Sequence, residues 1–191
     1  MTDIVKFSKE RRILFTADTH FGHRNIIRYC NRPFYSVEEM NWNKVVDKED
    51  VVFHLGDFAV GGADVWSNLL QQLNGKVYLI MGNHDVHTTK KGFEGFQHVC
   101  WEMLIEIGKQ KIYLNHYPFL CFSGANKKTW QLFGHVHTSP YSKGEDSSRL
   151  SLLFPTQYDV GVDNNNFTPI SYNEVKAKIQ QQLKMGYGQS I

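Results

Sequence analysis

The residues of this 191-residue sequence that could do chemistry lie directly after its apolar runs. One example is the stretch "MGNHDVH", which follows the run "KVYLI" and combines an amide, imidazoles and a carboxylate. The full set comprises Asp18, His20, Asp57, Asn83, His84, Asp85, His116, His135 and His137. Ligands of open α/β sheets bind beyond the carboxyl ends of the strands, so we expect these side chains to converge.

The mixture of side-chain types predicts a metal site. Imidazole suits zinc, iron and similar ions, whereas carboxylate and amide oxygens suit manganese, so the set points to Mn, Fe, Zn or Ni rather than calcium. Two such ions about 3.5–4 Å apart can clamp a phosphoryl group and activate water. The residues therefore indicate phosphate chemistry at one shared site.

Each fragment alone also has a simpler structural explanation. An Asp after a strand is commonly a helix N-cap or a turn residue, and "GNHD" could be a tight turn. His116 could be a hydrogen-bonded core histidine. Because five strand ends repeat the pattern, a shared metal site is favoured over five independent turns.

The first half of the chain has the pattern of βαβ units. Apolar runs at 12–17, 51–55 and 76–81 alternate with helical patterns at 36–48 and 63–75, which predicts a largely parallel sheet. The first helix opens with a capping box at Ser36 and Glu39. In the second helix Val65, Leu69 and Leu73 share a face, and Gly75 is expected to end it.

The second half is predicted to be richer in strands. The expected strands are 100–107, 111–116, 130–135 and 158–162, with a mobile loop over 138–157. A final helix over 171–183 begins at a capping box formed by Ser171 and Glu174, with Val175, Ile179 and Leu183 on one face.

Composition fits one globular domain spanning residues 1–191, with 41% hydrophobic residues. The net charge of +2 does not indicate a surface that coats nucleic acid. Three cysteines without CxxC spacing indicate neither a disulfide framework nor a zinc-thiolate site. The N-terminus lacks an apolar signal segment and no run is long enough to cross a bilayer, so a cytoplasmic protein without membrane partners is expected.

The motifs "DTH", "GD", "GNHD", "NHYP" and "GHVH" resemble those of the calcineurin-like metallophosphoesterases in order and spacing. The segment "DVGVDNNNFTPIS" resembles the closing segment of small bacterial and phage members. The resemblance implies an α/β fold, a four-layer αββα sandwich with two mixed β-sheets flanked by helices.

The resemblance also implies a role for each site residue. Asp18, His20, Asp57 and His137 would hold one ion, and Asp57 would bridge to a second ion held by Asn83, His116 and His135. His84 would be a phosphate ligand or general acid, with Asp85 orienting its ring. The implied mechanism is attack on phosphorus by a hydroxide that bridges two divalent ions, with Mn²⁺ the expected metal and Fe, Zn or Ni possible.

Substrate-binding residues are less sharply indicated. His23 follows "DTHFG" closely enough to reach the pocket, and Asn83 and Arg24 could also contact substrate. Arg24, Arg28 and Arg32 recur every four residues, which would align them on one helical face toward a phosphate. For the arginines a solvated basic stripe is the favoured explanation, because charged residues are common on protein surfaces.

Three functions remain open from sequence. The leading one is hydrolysis of a small phosphodiester or nucleotide phosphate ester. A metal-dependent nuclease acting on DNA or RNA is the second, although the charge balance disfavours it. The third is a non-catalytic interaction protein on the same fold, which the intact motif set disfavours. The oligomeric state is unknown.

Overall fold

Two mixed five-stranded sheets face each other in the computed structural model, which describes residues 4–33, 41–87, 90–138 and 145–185. The first sheet has the order β10-β2-β3-β4-β5, with strands Ile170–Ser171, Ile13–Thr16, Val51–His54, Lys76–Ile80 and His98–Cys100. The second has the order β1-β6-β7-β8-β9, with strands Val5–Phe7, Glu102–Ile107, Gln110–Asn115, Trp130–Phe133 and Gln157–Asp159. All described pairs are parallel except β10 with β2 and β6 with β7.

The helices of the described residues are α1 (Arg24–Tyr29), α2 (Trp42–Val45), α3 (Ala63–Gln72) and α4 (Tyr172–Met185). Strand alternation sends Phe15 and Phe53 toward Ile105 and Ile112 of the second sheet, in one fully buried core. The intervening residues of the first sheet pack with Trp66 of α3 in a second core. These two cores confirm the predicted sandwich of mixed sheets with flanking helices.

One predicted strand belongs to both sheets. Residues 100–107 divide at Trp101, which is 55% exposed. Cys100 pairs with Ile80 in the first sheet, whereas Glu102 pairs with Asn115 in the second. The apolar run is therefore a crossing between sheets, which periodicity along one chain does not reveal.

The predicted face of α3 is confirmed at Leu69 and Leu73, which pack against the second core, but not at Val65. Val65 is exposed, and the buried anchor is Trp66, which is 0% exposed between Phe58 and Phe96. The helix also ends earlier than predicted, with Leu73 as its C-cap in extended conformation. Gly75 instead occupies a positive-φ turn before β4.

The capping box of α4 is confirmed. The Ser171 backbone N–H donates to Glu174 Oε2 at 2.9 Å, and the Glu174 N–H donates to Ser171 Oγ at 3.3 Å. Val175 and Ile179 are buried as predicted, but Leu183 is 49% exposed because the helix extends past the core.

Two other predictions concern segments that are only partly described. The capping box at Ser36 and Glu39 lies outside the described residues, which contain α2 alone of the predicted helix 36–48. Within the predicted loop 138–157, Glu145–Leu152 forms a 3₁₀ helix. In the described residues no helix is long and apolar enough to span a membrane.

Candidate active site

Strand ends from both sheets meet where the predicted site residues lie. Backbone bonds join the turns: the Asp18 N–H donates to the Gly56 carbonyl and the Gly134 N–H to the His116 carbonyl, each at 2.9 Å. Between the two sheets, the His135 N–H donates to Asp18 Oδ2 at 2.9 Å, so the predicted ligands share one edge of the sandwich.

The described residues form three groups of metal-capable side chains, one of which, Cys30, His137 and Asp163, shares His137 with a larger site made of the other two. We call Asp18, His20 and His137 the first cluster and Asp57, His116 and His135 the second cluster. Within each cluster the ligand atoms lie within 4.8 Å of one another. Asn83 joins the second cluster, because its Oδ1 lies 3.1 Å from His116 Nε2.

Asp57 lies between the clusters. Its Oδ2 is 3.5 Å from His20 Nε2 and 3.6 Å from His116 Nε2, while its Oδ1 accepts the His84 backbone N–H at 2.9 Å. One carboxylate oxygen thus faces an imidazole from each cluster. This is the position from which a carboxylate can serve two cations at once.

Hydrogen bonds fix the ring orientation of two histidines. His116 Nδ1 lies 2.7 Å from the Leu55 carbonyl oxygen, so Nδ1 carries the proton and the Nε2 lone pair faces Asp57. Burial lowers the pKa of His116 to about 4, which keeps the ring neutral. His137 Nδ1 lies 2.9 Å from Asp163 Oδ2, which leaves its Nε2 toward the site. Both rings therefore have the orientation that metal ligation requires, and His116 also has the neutral charge.

The charge on His137 differs from that on His116. Burial opposes protonation of His137, but the Asp18 carboxylate, Asp163 and the Cys30 thiol raise its pKa to about 11. Burial also lowers the pKa of His20 and raises that of Asp18. Without a cation, the first cluster therefore holds a proton on His137.

Backbone strain concentrates at the predicted ligands. Five of the seven have a positive φ, between 46° and 73°: Asp18, His20, Asp57, His135 and His137. Non-glycine residues rarely adopt this conformation, and it persists where the surrounding structure enforces it. At Gly134 a Cβ would lie 2.6 Å from Asp18 Oδ2, so only glycine allows the chain to pass this close to the carboxylate.

The donor set fits divalent cations. His20 Nε2 is buried and has no hydrogen-bond partner among the described residues, although it faces Asp57. The buried carboxylate of Asp18 experiences repulsion from that of Asp57, which a cation would relieve. Both clusters combine carboxylate with imidazole, as transition ions prefer.

His84 stands over the clusters and is open to solvent. Its side chain is 56% exposed, its Nε2 lies 3.9 Å from Asp57 Oδ2, and its ring centre is 5.2 Å from that of His20. A group in this place can reach a ligand bound at the clusters.

The carboxylate of Asp85 contacts backbone groups rather than the His84 ring that it was expected to orient. Its carboxylate accepts the backbone N–H groups of Asp57, Phe58 and Gly82 at 2.8 to 2.9 Å. The expectation that Asp85 orients the His84 ring is therefore corrected: these contacts make it a residue that holds the Asp57 and Gly82 turns together.

The arginine stripe is also corrected. The helix ends at Tyr29, and Arg32 beyond it is buried, so the three arginines do not share one helical face. Arg24 and Arg28 lie exposed on α1, and the substrate contact of Arg24 stays a prediction. His23 does come close, with its ring centre 5.7 Å from that of His20.

An Arg32–Asp163 pair supports the first cluster and was missed from sequence. Arg32 Nε donates to Asp163 Oδ1 at 2.7 Å and Nη2 to Oδ2 at 2.8 Å. Arg32 also donates to the carbonyls of Asp18 and Thr19 at 2.7 and 3.1 Å. Through Arg32, the strained turn at Asp18 is therefore connected to Asp163, the carboxylate that orients His137. The motif "GVD" at 161–163, which follows strand β9, was the sequence signal that could have identified Asp163.

Tyr117 is a second residue whose place the sequence does not give. Its ring centre lies 4.6 Å from that of His135 and 5.0 Å from that of His116. Its hydroxyl donates to Asn83 Oδ1 at 3.3 Å. Tyr117 therefore closes one side of the second cluster.

A family model described as calcineurin-like phosphoesterase matches residues 11–163. The chain belongs to this family. The predicted family is thereby confirmed, and the family implies metal-dependent hydrolysis of phosphoesters. The family binds divalent metals, which agrees with the two clusters in this phosphoesterase.

Relatives of the phosphoesterase occur in archaea and phages. An uncharacterized protein of Methanocaldococcus jannaschii is 35% identical over 181 residues, covering 90% of this chain and 93% of that protein. The gene 66 protein of a Mycobacterium phage is 26% identical, covering 79% and 87%. The crystal structure of a protein of unknown function from Aquifex aeolicus is similar with a TM-score of 0.67 and 26% identity, covering 87% and 98%.

Proposed function

We propose that this phosphoesterase hydrolyses a small phosphodiester or nucleotide phosphate ester at a two-ion site, with Mn²⁺ as the first metal to test. The observation that carries the proposal is the position of Asp57 Oδ2, 3.5 Å from His20 Nε2 and 3.6 Å from His116 Nε2. Asp18, His20 and His137 would hold one ion, and Asn83, His116 and His135 the other, with Asp57 shared. Two bound divalent ions would supply charge for the phosphate and a lowered pKa for water.

The protein's own residues have separate tasks in this proposal. Asp57 fixes the spacing of the two clusters, and the Leu55 carbonyl and Asp163 hold His116 and His137 in the ligating orientation. His84 is exposed above Asp57, where it can donate a proton to the oxygen that leaves phosphorus. His23 lies beside His20 and is placed to contact the ester.

The testing experiment is a metal-dependence assay with two matched substrates. The purified protein is stripped with a chelator, reloaded with Mn²⁺, and assayed with 4-nitrophenyl phosphate and bis(4-nitrophenyl) phosphate. We expect no turnover without metal and faster turnover of the diester with it. Faster turnover of the monoester would assign a phosphatase, and metal-loaded protein inert toward both and toward oligonucleotides would contradict the proposal.

A further inference from the structure

A cavity of about 450 Å³ opens directly beside the second cluster. Its lining includes Tyr117, Leu120, His135, Leu150, Leu152 and Leu153. His135 belongs both to this lining and to the second cluster, so the cavity and the candidate metal site are continuous. The volume is in the usual range for small-molecule sites, which are mostly apolar with a few polar groups.

Two leucines at the cavity are unusually accessible. Leu120 is 63% exposed and Leu152 is 60% exposed, although both side chains are fully apolar. Apolar surface that surrounds a concave site is characteristic of ligand binding. In the protein alone the surface of these leucines is exposed to water, and a bound ligand would cover it.

The wall that carries Tyr117 is held in place from beneath. Gln131 Nε2 donates to the Tyr117 carbonyl at 2.8 Å, and Gln131 Oε1 accepts the Phe119 N–H at 3.0 Å. Gln157 Nε2 donates to the Phe119 carbonyl and its Oε1 accepts the Phe154 N–H, both at 2.8 Å. Both glutamines are buried. The wall is therefore pre-organised, which reduces the entropy lost on binding.

The chemistry of the lining favours a flat aromatic occupant. The Tyr117 ring is packed against His135 at 4.6 Å and is itself 39% exposed, so it can offer a ring surface to a second ring. Leu150 and Leu153 supply further apolar contacts in the same lining.

We infer that this cavity binds the organic group of the ester and selects a planar aromatic group, either a nucleobase or an aryl ring. The inference rests on the proposed function, because the phosphorus of the same molecule would lie at the two clusters. It goes further by naming the substrate class: esters that carry an aromatic group rather than small alkyl esters.

The test compares a naphthyl and an ethyl phosphodiester of the same type with the Mn²⁺-loaded protein. Each variant is compared with wild type on both esters, so the intrinsic reactivities of the esters cancel. The variants Leu120→Asn and Leu152→Asn change exposed side chains, and Leu183→Asn is a matched control on α4, where the leucine is 49% exposed. Metal content is measured for all three.

We expect the cavity variants to lower the naphthyl-to-ethyl ratio of kcat/KM by about tenfold, mainly through KM for the naphthyl ester. Leu183→Asn should leave the ratio unchanged. An unchanged ratio in both cavity variants, with metal content intact, would overturn the inference. An equal loss with both esters would also overturn it, because such a loss has no selectivity for the aromatic group.

A binding measurement separates this inference from the proposed function. Saturation-transfer NMR with 1-naphthyl phosphate on metal-free protein reports contact with the naphthyl protons without any turnover. Contact that Leu152→Asn weakens and Leu183→Asn preserves would support the cavity even if no ester were hydrolysed, in which case only the proposed function fails. Hydrolysis of both esters without naphthyl contact would overturn the cavity alone.

Discussion

The two ligand clusters are built alike but supported differently. In the first cluster, His137 is oriented by the Asp163 carboxylate, which is itself held by two bonds from the buried Arg32. In the second, His116 is oriented by a neutral backbone carbonyl at Leu55. One cluster is therefore fixed by a charged network and the other by the main chain of a strand end.

The clusters also differ in what lies beside them. Each has two buried members and one half-buried histidine, which is His137 in the first cluster and His135 in the second. A site supported by buried charges should hold a cation tightly and exchange it slowly. The second cluster adjoins the cavity lined by His135 and Tyr117, so this is the side from which we expect ion exchange and substrate entry.

The largest effect is expected from a substitution of Asp57, the residue that lies between the two clusters. Asp57→Asn removes the shared charge, so both ions should be lost and kcat should fall by at least about 10³-fold. Metal content measured by mass spectrometry checks this, with Asp64→Asn on the exposed face of α3 as the control. Full occupancy of both sites in Asp57→Asn would show that the clusters are independent.

A smaller loss is expected from His84, which touches both clusters without being part of either. His84→Ala should retain both ions and lose about 10²–10³-fold in kcat, most strongly for esters with a poor leaving group. The control is His98→Ala, an exposed histidine on β5. If His84→Ala hydrolyses an ester with a poor leaving group at the wild-type rate, His84 is not the proton donor.

The charged support of the first cluster can be broken separately. Asp163→Asn leaves His137 without its carboxylate partner and should weaken the first ion by about 10- to 100-fold while sparing the second. Calorimetric titration with Mn²⁺ measures both steps. Asp50→Asn is the matched control, because Asp50 is also buried and paired with an arginine, Arg12, at 2.9 Å. Equal metal loss in both variants would indicate general destabilisation.

Proton release should distinguish the clusters most finely. The pKa of His137 is raised to about 11, so at pH 7 an ion entering the first cluster must displace a proton, and its affinity should fall as the pH falls from 8 to 6. The pKa of His116 is lowered to about 4, so this ring adds no such proton in the second cluster.

Calorimetry in buffers of different ionisation enthalpy measures these protons. We expect about one proton released in the first binding step and fewer in the second. Equal release in both steps would remove the electrostatic distinction between the clusters. Asp163→Asn should reduce release in the first step, because it withdraws one of the groups that raise the His137 pKa.

The comparison also shows what the sequence could predict. The convergence of Asp18 and Asp57 follows from their placement after neighbouring parallel strands, whose carboxyl ends share an edge, whereas His116 follows a strand of the other sheet. Supporting groups are less visible: Arg32 and Asp163 are 131 residues apart, and nothing local pairs them. The Arg24-to-Arg32 spacing even favoured a helical stripe, which the end of α1 at Tyr29 removes.

Crossings and cavities are the other features that local pattern misses. Residues 100–107 read as one strand because both halves are apolar, but hydrogen bonding divides them between two sheets at Trp101. The cavity needs Tyr117 and Leu152 from separate segments, and it exists only once the residues after β7 and β8 meet residues 149–153. Asp85 shows the same limit, since its three backbone partners include Phe58, far away in sequence.

The most direct test of the central claim is anomalous diffraction from crystals grown with Mn²⁺. The account predicts two manganese peaks about 3.5–4 Å apart, one in each cluster, with the Asp57 carboxylate between them. A single peak, or two peaks that do not share Asp57, would contradict the two-ion site.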